Sequence, residues 1–155
     1  MERPNLPLLR YKLCGTVSES DIVYDRENSL LVIALSREND YSGEFINIGR
    51  VCIALGESMD AVDIQIQFSE GETKKVSHLA MPEGQAARVI FPESSLPVED
   101  LCSIEVHPDL SVLHFCFADL PPNEALRLSV AQNVVFEVTN EHTLAGLWVS
   151  RIQQR

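Results

Sequence analysis

Ile22-Val-Tyr-Asp-Arg-Glu-Asn-Ser-Leu-Leu-Val-Ile-Ala-Leu35 decides the fold, because it recurs 82 residues later as Ile104-Glu-Val-His-Pro-Asp-Leu-Ser-Val-Leu-His-Phe-Cys-Phe117. Apolar residues fall at matching places: Ile22 with Ile104, Leu31 with Leu113, Ile33 with Phe115, Leu35 with Phe117. One register later, Val51-Cys-Ile-Ala-Leu55 lines up with Val134-Val-Phe-Glu-Val138, and Ile64 and Ile66 fall on Leu147 and Val149. Side chains alternate across a strand, so each copy reads as strand, polar turn, strand, then a second strand pair.

Working outward, the turn Asp25-Arg-Glu-Asn-Ser29 is built from side chains that hydrogen-bond their own backbone. Gly49-Arg50 leaves two residues between Phe45–Ile48 and Val51–Leu55, the spacing of a tight hairpin. Asp60–Phe68 alternates strictly, with Val62, Ile64, Ile66 and Phe68 on one face. No long segment has a period of 3.6, so helix should be scarce. The expected fold is mainly β: two similar halves related by a pseudo-two-fold, with antiparallel sheets, sharing one sheet or closing as a sandwich. The expected boundaries are an arm and short strand over 1–20, a first copy over 21–68, a connecting hairpin over 69–100 and a second copy over 101–155. Asn123–Leu128 is expected as loop or short helix. Ile64, Ile66, Leu113, Phe115, Phe136 and Leu147 are expected to face the core.

A chain of 155 residues buries roughly 70% of the surface its unfolded form exposes, so it needs no disulfide or metal staple. The balance of 23 acidic against 12 basic residues gives a net charge of -11, which disfavours nucleic acid as a partner. Between Val89 and Ser150 the only basic residue besides histidine is Arg127, against nine Asp and Glu. That acidity serves solubility first, and beyond that it suits docking of a basic protein, with Trp148, Glu137 and Glu141 as the contact residues. Trp148, the sole tryptophan, either seals a packed seam or anchors an interface. A homodimer is the other assembly considered. The longest apolar run, Leu30–Leu35, is far too short for a membrane span. Cys14, Cys52, Cys102 and Cys116 lack C-x-x-C spacing, and no apolar leader opens the chain, so free thiols in the cytoplasm are expected.

His114 and Cys116 are two apart and share a strand face. With His107 and His142 they could form a zinc site, but closed sites normally use tight ligand pairs, and the favoured reading is structural. The same holds for a Cys–His nucleophile. Glycine-rich phosphate loops, dinucleotide fingerprints and the G-x-S-x-G elbow are missing from the sequence, and no cofactor is expected. The favoured role is a non-enzymatic protein-interaction module, antitoxin-like or regulatory. The alternatives are a small-ligand binder with its site between the halves and a His/Cys metal-dependent enzyme.

Asn133-Val-Val-Phe-Glu-Val-Thr-Asn-Glu141 followed by Leu144-Ala-Gly-Leu-Trp-Val149 resembles the end of a small prokaryotic family, domain of unknown function 2283. Tyr24-Asp25 followed by Leu30-Leu-Val-Ile33 resembles its opening. Asp63 stands in the first copy where the second has Gly146, and His107-Pro108 replaces Tyr-Asp in the second. The resemblance implies a β unit present twice and a protein-binding role. It implies no catalytic residues.

Overall fold

The computed structural model describes residues 6–35, 41–92, 103–121 and 123–155. The first half supplies β2 (Asp21–Asp25), β3 (Leu30–Ala34), β4 (Tyr41–Ile48), β5 (Val51–Gly56) and β6 (Ala61–Gln67). The second supplies β9 (Ser103–Val106), β10 (Val112–Cys116), β11 (Leu126–Ala131), β12 (Val134–Val138) and β13 (Leu144–Ser150). Helix among the described residues is a single 3-10 turn at Glu70–Glu72. The fold is mainly β with largely antiparallel pairing.

Each half forms its own sheet, and the strand orders correspond one for one: β2-β3-β6-β5-β4 in the first, β9-β10-β13-β12-β11 in the second. The registers correspond as well. Ile33 lies opposite Ile64, which lies opposite Ile53. Phe115 lies opposite Leu147, which lies opposite Phe136. Both halves break register at the same place, between Ala54 and Leu55 in β5 and between Glu137 and Val138 in β12. A bulge costs ladder bonds, so its presence at matched sites reflects a shared backbone path. The β4–β5 and β11–β12 turns each take a left-handed residue, Gly49 (φ 56°) and Asn133 (φ 66°), the residue types that tolerate it best.

The inner faces of the two sheets pack into one core. Ile64, Ile66, Leu113, Phe115, Phe136 and Leu147 are all buried in it, as their alternation predicts. Phe68 sets its ring edge-on to Phe115 across the sandwich at 5.6 Å, and Tyr24 stacks on Phe68 and donates its hydroxyl to the Phe68 carbonyl at 2.9 Å.

The tail of each half joins the other half's sheet. After the first half, β7 (Lys74–Lys75) pairs parallel with β9, Lys74 opposite Glu105. After the second, β14 (Gln153–Gln154) pairs parallel with β2, Gln153 opposite Val23, the counterpart of Glu105.

Residues 69–92 are not the expected hairpin. β7 and β8 (Gln85–Ile90) do not pair with each other; β8 lies parallel to β11 at the opposite edge of the sheet and antiparallel to β1 (Arg10–Leu13). Between β7 and β8 the chain crosses the outward face of the second sheet. Six strand spacings of about 4.8 Å require about 29 Å, which the nine residues 76–84 can span when extended. Pro82-Glu-Gly84 forms the end of this crossing, just before β8. The stretch expected as loop or short helix is strand β11 from Leu126 onward, because β11 forms a tight hairpin with β12 on one side and is paired by the distant β8 on the other. The connector beyond Pro92 and Cys102 lie outside the described residues.

Candidate functional site

Alternation that turns Leu113, Phe115, Leu147 and Phe136 inward turns His114, Cys116, Trp148, Val135 and Glu137 outward on the second sheet. His114 donates from both ring nitrogens to carboxylates: Nδ1 to Glu105 at 3.0 Å and Nε2 to Glu137 at 2.6 Å. Glu105 sits beside it on β9. Glu137 lies two strands away on β12, opposite Gly146, and reaches His114 by passing over that glycine. A Cβ on Gly146 would meet Glu137 Oε1 at 2.6 Å and the Phe115 carbonyl at 3.2 Å. Arg127 on β11 approaches the far carboxylate oxygen at 3.6 Å, outside hydrogen-bond range. The imidazole lies flat on Trp148, rings 3.8 Å apart and 10° from parallel.

Burial alone would lower the pKa of His114, but the hydrogen bonds to Glu137 and Glu105 outweigh it and hold the imidazole above its ordinary value. Burial pushes Glu137 up, and the hydrogen bond and charge of His114, with Trp148 and Arg127 nearby, bring it net below the carboxylate range. The arrangement is an imidazolium clamped between two carboxylates over an aromatic face, which favours the charged form.

The crossing segment covers this cluster. Leu79 and Met81 pack on Val112, Val135 and Trp148. Trp148 is 8% exposed, so it seals this seam, and Glu137 is largely buried beneath it. Glu141 is exposed in the turn after β12, apart from that cluster. Of the three expected contact residues, the structure brings Trp148 and Glu137 together and leaves Glu141 outside.

His114 and Cys116 share the outward face as expected, but no zinc-type set converges. Burial pushes the Cys116 thiol up, and it donates to the Ala118 carbonyl at 3.2 Å. His107 pairs with Asp109, and the His142 ring stacks on Tyr11 at 5.7 Å. Among the described residues, no group of three or more His, Cys, Asp or Glu is placed to hold a metal ion. Nor is any helix long and apolar enough to cross a membrane.

The outward face of the first sheet is different. There Tyr41 and Phe45 of the edge strand β4, Cys52 and Ala54 of β5, and Asp63 and Gln65 of β6 line an open groove of about 330 Å³. Every lining residue belongs to the sheet itself. Tyr41 and Phe45 are among the most exposed large apolar side chains of the described residues. Asp63 Oδ1 is buried without a hydrogen-bond partner, and burial raises the pKa of this carboxyl, outweighing the hydrogen bonds of Gln65 and the Ile64 amide that lower it. In the sequence Phe45 reads as an ordinary strand residue and Tyr41 carries no signal, and only the mismatch of Asp63 with Gly146 marks this face.

A second depression of about 320 Å³ lies between the halves, lined by Leu35, Asp60 and Ala61 from one, Val130 and Phe136 from the other, and Arg88 of β8. Comparison with known proteins gives no similarity to argue from: no protein-family model and no curated protein sequence matches the chain.

Proposed function

We propose that this protein is a non-enzymatic protein-interaction module whose working surface is the outward face of the first sheet. One observation carries the reading. Of two outward faces on topologically matched sheets, one is covered by the chain's own residues 76–84, and the other presents Tyr41 and Phe45 with nothing of the chain across it among the described residues. Exposed aromatics on an edge strand are the residue types that anchor protein interfaces. The net charge of -11 favours a basic partner and speeds its encounter. The relationship to domain of unknown function 2283 and its protein-binding role belong to the same proposal.

The test is capture from native lysate on immobilised full-length protein, at low and high salt, beside a Phe45→Arg variant. A protein partner retained at low salt, released at high salt and lost with Phe45→Arg is the expected result. Capture of only acidic proteins or nucleic acid, or capture indifferent to Phe45, would reject it. The depression between the halves supports a second reading, a small-ligand site in which Arg88 and Asp60 offer opposite charges. A small molecule copurifying with the protein and lost in Arg88→Ala would favour that reading.

A further inference from the structure

We infer that the first sheet binds its partner as an extended segment, which crosses the outward face, adds to the β4 edge parallel to it, and places a Lys or Arg against Asp63. This deepens the interaction-module reading and rests on it.

The chain itself contains the mode of binding. In the second sheet, residues after β7 cross the outward face through Leu79 and Met81 and then pair parallel with β11, Leu128 opposite Gln85 and Ser129 opposite Ala86. The approach is close, since a Cβ on Gly84 would meet the Ser129 nitrogen at 2.9 Å. β4 is the topological counterpart of β11, and β14 already occupies the place of β7. Among the described residues the first sheet has no counterpart of β8 and β1, and β4 is its edge. A strand edge with unpaired backbone groups beside an apolar face is what strand addition uses. The register places Phe45 where the second sheet has Arg127, and Cys52 where it has Val135, which Leu79 and Met81 cover.

Charge selects the occupant. In the second sheet the outward carboxylate of Glu137 is answered from within by His114 and Arg127. In the first, the counterpart of His114 is Val32, and Asp63 keeps a buried oxygen without a partner. Residues 21–72 contain eleven Asp and Glu and three Arg, with no Lys. A cation supplied by the incoming segment satisfies Asp63, and alternating apolar side chains cover Phe45, Cys52 and Ala54.

The experiment is selection of a random 16-residue peptide display library against the full-length protein. Binders should share a Lys or Arg flanked by alternating apolar residues. Binding should fall at least about tenfold in Phe45→Arg, fall about tenfold with loss of the basic preference in Asp63→Asn, as expected for a charge-assisted hydrogen bond, and be unchanged in Glu141→Ala. Backbone N-methylation at alternate residues of the best peptide should abolish binding if it adds as a strand. Absence of binders, an acidic or helical consensus, or binding indifferent to Phe45 and Asp63 would overturn the inference. So would a Phe45-dependent dimer in sedimentation, which would make a second copy the occupant. If lysate capture depends on Phe45 while the library yields nothing, the interaction module stands and the extended-segment mode falls. If neither depends on Phe45, both fall.

Discussion

Glu137 reaches His114 across Gly146, closing to 2.6 Å over a strand that lies between them. The absence of a side chain at Gly146 is what permits the contact, and the first half, with Asp63 at the matching position, cannot make it.

The clamp makes stability depend on pH in both directions. His114 is raised above its ordinary value, so its contribution is complete below that value and is lost as pH rises through the raised pKa. Glu137 is lowered, so its contribution holds above the usual carboxylate range and is lost as pH falls through the lowered pKa. The two limbs describe one interaction. His114→Gln should cost about 1–3 kcal/mol near pH 6 and flatten the alkaline limb, read from urea midpoints across pH. Equal losses at pH 6 and pH 9 would reject the assignment.

Gly146→Ala should displace Glu137, because the new Cβ meets its carboxylate at 2.6 Å. The imidazole then loses one of its two acceptors. Its NMR titration midpoint should fall, and stability should drop by about 1–3 kcal/mol, the cost of a strained or broken buried polar contact. An unchanged histidine midpoint would show that Glu137 does not depend on that gap.

Phe136→Ala removes a fully buried ring that contacts Phe91 in the shared core. Denaturant titration should show a loss of about 3–5 kcal/mol. A loss below about 1 kcal/mol would contradict both the burial and the register of β12.

Asp63 behaves oppositely to Glu137. Its pKa is raised by burial, so the folded state binds the proton more tightly and loses stability as pH rises from below the ordinary value through the raised one. Asp63→Asn should therefore stabilise the free protein by about 1 kcal/mol at neutral pH, the lower end for a buried unsatisfied group. The two proteins should converge in strong acid. A destabilised variant at pH 7 would show that the carboxylate is already satisfied.

Leu79→Ser with Met81→Ser should uncover Trp148, the only tryptophan. Its emission should shift to the red and become accessible to iodide, with the far-ultraviolet spectrum retained. An unshifted spectrum would place the crossing segment elsewhere.

The sequence by itself determined the mainly β character, the principal strands and their inward residues. Ile64 with Leu147 and Ile53 with Phe136 could be matched before any coordinates, because strand alternation is local and a one-residue slip would turn the whole apolar set to solvent. Only the tertiary structure decided the route of residues 74–90, the exchange of tails, and the meeting of His114 with Glu105 and Glu137. Pairing between distant segments leaves little local trace: nothing within Leu126–Ala131 names β8 as its outer neighbour, and nothing within Lys74–Lys75 names β9. Glu137 could not be joined to His114 from spacing, since the path between them runs over a glycine on a third strand. The open face of the first sheet was hidden for the same reason. Phe45 and Asp63 become notable only when the matching face of the second sheet is seen to be covered.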